Sequence, residues 1–203
     1  MYNNYKKGSR AGVSKLPNAS NKSRGADKVM SDELVNKNQT SELKIHVNEL
    51  AKRETMWPAF HALVKSGESS VPVLIKALKE DDDIVRAVSA VVLGEIGPIA
   101  DQAIPDLIQL LHDNNKEARM SAALALIKIG NEAVQALEQC LQSDNPLAKF
   151  WAAWALIMND SSKMEAVPIL KEAWETSKDK YVTLAAAEGL SKAMKWRIDE
   201  LKE

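Results

Sequence analysis

Residues 72–97 read PVLIKALKEDDDIVRAVSAVVLGEIG, and residues 105–130 read PDLIQLLHDNNKEARMSAALALIKIG. The two stretches align without a gap at an offset of 33 residues, and nine of their 26 positions are identical. Self-similarity at such a period is typical of a solenoid, whose units cover their apolar sides only by packing on one another. The pattern therefore predicts a repeat protein, with fainter copies on both sides of these two.

Each copy predicts two helices joined by a polar turn. The first helix begins at a proline, which a helix tolerates in its first turn, and these prolines are Pro72, Pro105 and Pro168. The turn is rich in Asp and Asn, whose side chains cap the start of a helix. The second helix is longer and ends at a glycine, Gly97 in one copy and Gly130 in the next.

The repeat predicts an all-α superhelix, a solenoid of about five helical hairpins. The units span about 41–67, 68–97, 101–130, 132–160 and 163–203. The first unit is degraded, as expected for a terminal repeat with one side toward water. Residues 1–40 show no apolar period, so we expect a flexible tail there, followed by one repeat domain over residues 41–203.

The balance of basic and acidic residues also changes near residue 40. Residues 1–40 contain eight Lys or Arg and three acids, whereas the rest contains 19 basic and 25 acidic residues. The tail is either a basic arm that contacts an acidic partner or a solubilising leader. Nucleic acid is not the expected partner of the repeats, because binding phosphates requires a basic surface. With no apolar run long enough for a membrane helix, we expect a cytoplasmic protein without a membrane partner.

A family resemblance rests on two adjoining motifs. Residues 82–97 follow D-x-x-V-R-x-x-S-A-x-V-L-x-x-I-G, and residues 103–111 follow A-I-P-x-L-x-x-L-L. This pattern resembles the short HEAT-like repeat, a type also found in phycobilisome lyase subunits. The resemblance implies that Arg86 and Arg119 reach an acid or a backbone carbonyl between adjacent units. Lys149 and Thr183 stand at the same place in later copies, so this ladder of arginines is expected to be incomplete.

Candidate catalytic or metal-binding groups are sparse. The three histidines fall in different units, and the His-Glu pairs that HEAT-like hydroxylases need for iron do not occur in the sequence. The single cysteine, Cys140, stands where the repeat places apolar residues, which favours a packed thiol over a nucleophile. The run Asp81 to Asp83 is interpreted as a capping turn. We therefore expect no metal and no cofactor, and we favour a protein that is not an enzyme.

The third copy contains an unusual group of large apolar residues. Positions one and five residues after the arginine row read Met120 and Leu124, then Phe150 and Trp154. The family resemblance implies that such positions face the inner, concave surface of the solenoid. Aromatic and Met side chains are typical anchors of protein interfaces. The candidate protein-binding residues are Met120, Leu124, Phe150, Trp151, Trp154 and Met158.

Two interpretations of the third copy remain open. In the first, its side chains form an exposed binding surface, with Phe150 and Trp154 the most exposed. In the second, Trp151 and Trp154 fill the space between repeats, since a helix that is apolar all round is often buried. Trp174 occupies the place of Leu111 and Leu141 and is predicted to lie in the core.

These observations predict a non-catalytic scaffold or adapter that binds a protein partner on the concave face. One alternative rests on the family resemblance alone: a phycobilin lyase, or the partner subunit of a lyase, that handles an open-chain tetrapyrrole. A third possibility is an adapter that contacts nucleic acid through the basic tail.

Overall fold

The computed structural model of the chain describes residues 37–202. Thr40–Glu203 forms one compact unit, and no strand occurs among its described residues. The predicted basic tail at residues 1–40, with its acidic partner, falls almost entirely outside the described part of the chain. A search of the described helices finds none that is both long and apolar enough to cross a membrane.

Between residues 37 and 202 the chain forms ten α-helices. Their bounds are 37–49 (α1), Met56–Ser66 (α2), Val71–Ala77 (α3), Asp83–Ile96 (α4), Ile104–Leu110 (α5), Lys116–Ile129 (α6), Val134–Cys140 (α7), Pro146–Asn159 (α8), Val167–Thr176 (α9) and Lys180–Glu200 (α10). Four short 3-10 helices precede α3, α5, α7 and α9, at Gly67–Ser70, Gly97–Ala103, Asn131–Ala133 and Met164–Ala166.

The helices are arranged as stacked hairpins. Within each hairpin α3 packs on α4, α5 on α6, α7 on α8 and α9 on α10. The second helices also pack on one another in series, α4 on α6, α6 on α8, and α8 on α10. This arrangement confirms the predicted all-α superhelix of HEAT-like hairpins.

Local sequence signals set the ends of these helices. The side chains of four residues accept hydrogen bonds from backbone N–H groups in the first turn of α4, α6, α8 and α10, namely Asp82, Asn115, Asn145 and Asp179. Pro72, Pro105 and Pro168 lie in the first turns of α3, α5 and α9, as predicted. Gly97 and Gly130 end α4 and α6 with φ of 76° and 93°, a conformation that favours glycine.

Small residues let the second helices approach closely. A Cβ atom added to Gly94 in α4 would lie 2.9 Å from the Cα of Ala125 in α6. The fully buried residues Ala122, Ala152 and Ala186 occupy one row of the same layer. The rest of the core is also apolar, with many Leu, Val and further Ala residues, so the units are held together mainly by apolar packing.

One arginine joins adjacent units. Arg86 in α4 donates two hydrogen bonds to the carboxylate of Asp113, with an Nε to Oδ2 distance of 2.8 Å and an Nη2 to Oδ1 distance of 3.0 Å. It also donates to the carbonyls of Glu80 and Asp81, both at 2.8 Å. The contact that the family resemblance implies is therefore present for Arg86. Arg119 instead donates to the carbonyls of Asp113 and Asn114, within its own unit.

This ion pair shifts the pKa of both partners. Burial opposes the charge of Asp113, but the hydrogen bonds from Arg86 and from the Asn115 backbone N–H outweigh it and lower the pKa of the carboxyl group. The hydrogen bond to Asp113 raises the pKa of Arg86. The pair is therefore charged at neutral pH and links α4 to the turn before α6.

Candidate functional site

The aromatic residues predicted for the binding surface lie in the core. Phe150, Trp151 and Trp154 retain only 2%, 4% and 6% of their surface exposure. The ring centroids of Phe150 and Trp151 are 5.0 Å apart, and those of Trp151 and Trp154 are 5.6 Å apart, both in edge-to-face geometry. The prediction that Phe150 and Trp154 are the most exposed of the candidate residues is therefore wrong.

The physical reason is the packing of α8 against the following unit. Trp154 lies against α10, because a Cβ atom added to Gly189 would be 3.3 Å from its Cδ1 atom. Phe150 lies beside Ala173 of α9 and Val182 of α10. In α8, positions one and five residues after the arginine row thus face the next hairpin and not solvent. The second interpretation of the third copy, in which its rings fill the space between repeats, describes the structure.

The other three candidate residues are more accessible. Met120 and Leu124 on α6 are exposed, and Met158 near the end of α8 is partly buried against the core. Met120 and Trp151 share a cavity of about 130 Å³ with Tyr181. Because one water molecule takes about 30 Å³ of liquid, this cavity has room for roughly four waters and is too small for a protein segment.

A much larger apolar groove runs between α9 and α10. Its volume is about 1010 Å³, and six of its apolar lining residues define what we call the end groove: Met164, Val167, Trp174, Leu190, Met194 and Ile198. Typical ligand sites in proteins measure about 300–1,000 Å³, so the end groove is at the upper end of that range. Within the described residues, no further unit packs on it.

The exposure of Trp174 is unexpected from the sequence. Leu111 and Leu141, its equivalents in earlier copies, are buried as predicted, but Trp174 is 51% exposed. The prediction of a core position for Trp174 is therefore wrong. On α10 Leu184 is also exposed, although Phe150, its equivalent in the third copy, is buried. In the third copy the equivalents of both side chains, Leu141 and Phe150, are buried.

The end groove has a basic rim. Lys171, Lys195, Arg197 and Lys202 line it together with one carboxylate, Asp199. Lys171 pairs with Glu175, Arg197 with Glu200, and Lys202 with Asp199, each within its own helix or the turn that follows and largely exposed to solvent. Exposed pairs of this kind contribute little, about 0–1 kcal/mol each. The groove lining thus has more cations than carboxylates, in a repeat region that is acidic as a whole, and Lys195 is the rim cation without an ion pair among residues 37–202.

The described part of the chain offers little for metal binding or thiol chemistry. Between residues 37 and 202, no three His, Cys, Asp or Glu side chains cluster in a way that could hold a metal ion. Cys140 is buried, as its place in the repeat predicts, and burial raises the pKa of its thiol. A thiol with a raised pKa is a poor nucleophile at neutral pH.

Comparison with known proteins gives three findings. The family described as HEAT repeats matches residues 71–157 and 104–191. A protein of Bacillus subtilis (strain 168), called uncharacterized protein SkfG, is 31% identical over 165 residues, which cover 79% of this chain and 96% of the relative. The structure of the complex of CpcE and CpcF of phycocyanin lyase from Nostoc sp. PCC7120 superimposes with a TM-score of 0.54 at 20% identity, over 74% of this chain and 98% of that chain. At this identity the likeness shows a shared fold.

Proposed function

Since the chain belongs to the HEAT repeat family, we propose that it is a non-catalytic scaffold and that it binds a protein partner in the end groove. The observation that carries this proposal is the groove itself, an apolar surface between α9 and α10 with Trp174, Met194 and Ile198 exposed. Large apolar surfaces are rarely left exposed on soluble proteins unless they bind something.

The shape of the surface favours a protein segment over a small molecule. α10 is 21 residues long, or about 31 Å, and its outward side forms one wall of the groove. Leu190, Met194 and Ile198 lie along this wall, and Trp174 lies on the α9 wall opposite. Trp and Met are typical anchors of protein interfaces, and apolar side chains of this size bury much area there. An open, elongated valley between two helices is the kind of surface that binds another helix or an extended segment.

The end groove differs from the binding surface that the sequence predicts, which lies on α6 and α8. The aromatic rings of α8 are unavailable to a partner, and only Met120 and Leu124 of the earlier candidates are exposed. The tetrapyrrole alternative has only the likeness of fold in its favour, and the nucleic-acid alternative depends on residues 1–40, which lie almost wholly outside the described part. A cytoplasmic location stays a prediction.

Site-specific crosslinking tests the proposed surface. A photoreactive amino acid is placed at Met194 in the full-length chain, in its native cell, and the same amino acid is placed at Ile99 as a control. We expect a crosslinked protein from position 194 and none from position 99, because Ile99 lies in the 3-10 helix before α5, which contributes nothing to the groove. The captured protein is then identified, purified and titrated with the scaffold.

A matched pair of substitutions makes this titration decisive. Ile198 and Ile99 are exposed to nearly the same extent, 54% and 58%, but only Ile198 lines the groove. Ile198→Glu is expected to raise the Kd about tenfold or more, a loss of about 1.4 kcal/mol, while Ile99→Glu leaves it unchanged. Equal Kd values for the two variants, with unchanged circular dichroism, would show that the partner binds elsewhere.

A further inference from the structure

We infer that the end groove binds an amphipathic helix of a partner protein, and that this helix carries acidic residues on both sides of its apolar face. The inference rests on the proposed function and names the chemistry of the partner. It follows from two properties of the groove, its apolar stripe and its basic rim. The rim also disfavours a second copy of this chain as the occupant, because a dimer would bring like charges together.

The apolar stripe has the spacing that a packed helix needs. On α10 the groove is lined by Ala187, Leu190, Met194 and Ile198, which lie three or four residues apart on one face. This stripe extends over 11 residue steps, or about 17 Å, and Val167 and Trp174 on α9 form the opposite wall. A third helix of about three turns or more can therefore pack in the valley, with its own side chains between these ridges.

The rim selects the charge of that helix. Four cations border the groove, and the carboxylate of Asp199 is the one acidic group among its lining residues. Lys195 forms no ion pair with any residue between 37 and 202, and the other three cations have only exposed pairs within α9 or with residues at the end of α10. Acidic side chains on an incoming helix can pair with Lys195 and can replace the weak, exposed partners of the other three cations, which favours both fast association and the correct orientation.

The same rim argues against a second copy of this chain as the occupant. In a symmetric dimer the same patch of both copies meets, so the lining of one groove, with four cations and one carboxylate, would lie close to an identical lining. Like charges placed opposite each other across an interface are destabilising. A partner with the opposite charge is therefore favoured.

Three synthetic peptides test the inference directly. Each is about 18 residues long, or five helical turns, and carries a fluorophore. The first has a Leu stripe at helical spacing flanked by Glu, the second has the same stripe flanked by Lys, and the third keeps the Glu residues with the Leu positions scrambled. Fluorescence anisotropy with the full-length chain gives the Kd of each.

We expect the first peptide to bind about tenfold more tightly than the other two. Raising the salt from about 0.05 to 0.5 M should weaken this binding severalfold, because the rim charges are exposed to solvent. Ile198→Glu should raise its Kd about tenfold, whereas Ile99→Glu should leave it within about twofold. Similar Kd values for the Glu and Lys peptides, or no binding of any peptide, would overturn the inference.

Two further measurements separate this inference from the proposed function. If position 194 crosslinks to a segment that is not an acidic amphipathic helix, the inference fails and the proposed function stands. If no protein is crosslinked there, both fail. If sedimentation shows a dimer of the chain that Ile198→Glu dissociates, a second copy fills the groove and the inference is wrong.

Discussion

Replacing Trp154 with alanine, and Trp174 in parallel, measures which tryptophan belongs to the core and which to the binding surface. A tryptophan side chain presents about 200 Å² of surface, and burial contributes about 25 cal/mol per Å². Trp154 is 6% exposed, so its removal should cost about 5 kcal/mol, at the upper end of the usual range for a large buried side chain. Trp174 is 51% exposed and should cost about 2.5 kcal/mol.

Thermal unfolding followed by far-UV circular dichroism resolves this difference. At this chain length each kcal/mol shifts Tm by about 2–4 °C, so Trp154→Ala should lower Tm by about 10–20 °C and Trp174→Ala by about 5–10 °C. For partner binding, Trp174→Ala should have the larger effect of the two variants. Trp174→Ala should weaken it severalfold, and Trp154→Ala, measured well below its Tm, should leave it nearly unchanged.

The variant Trp154→Phe tests whether lost apolar packing explains the large effect of Trp154→Ala. The indole N–H of Trp154 is buried, and no hydrogen-bond acceptor for it is found among the described residues. Trp154→Phe therefore removes an unsatisfied donor while it keeps most of the apolar surface, and it should cost only about 1 kcal/mol. The reasoning is refuted if Trp154→Ala lowers Tm no more than Trp174→Ala does.

Three other predictions concern the units and their contacts. Asp113→Asn should cost about 2 kcal/mol at neutral pH, because it leaves Arg86 without its carboxylate. Since the folded pKa of Asp113 lies below its unfolded value of about 3.9, this cost should be constant above about pH 5 and disappear as the pH falls through the folded pKa, which urea titrations at several pH values would show. Gly94→Ala should cost about 1–3 kcal/mol in urea unfolding because the added methyl meets backbone in α6, whereas Gly189→Ala should cost less because it meets the movable end of a leucine side chain. Cys140 should react with a thiol reagent far more slowly in the native protein than in denaturant, and equal rates would contradict its buried position.

Much of the fold follows from local signals in the sequence. The 33-residue repeat identifies the hairpins, the prolines mark where first helices start, and the glycines mark where two second helices end. The inter-unit contact of Arg86 follows from the family resemblance. These features are predictable because they depend on residues within one unit or on its immediate neighbour.

The candidate site is less predictable, because it depends on which hairpins cover a residue and not on the unit that contains it. Phe150, Trp154 and Trp174 are all large apolar residues on amphipathic or fully apolar helices, and the repeat pattern assigns each of them a position within its unit. The pattern does not say whether another hairpin covers that position. The exposed row on α10, with Leu184 and Met194, could have been suspected only from the apolar residues that continue along the last helix.

The amino-acid sequence by itself determined the class of fold, the repeated helical hairpin and the caps of its helices, because these depend on side-chain chemistry and spacing along the chain. Only the tertiary structure decided which apolar surface is open. α8 is enclosed by the α9–α10 hairpin and so places its aromatic rings in the core, while the outer side of that hairpin is covered by no other described element. Burial depends on which helices pack together, and a residue's own position in the repeat does not contain that information.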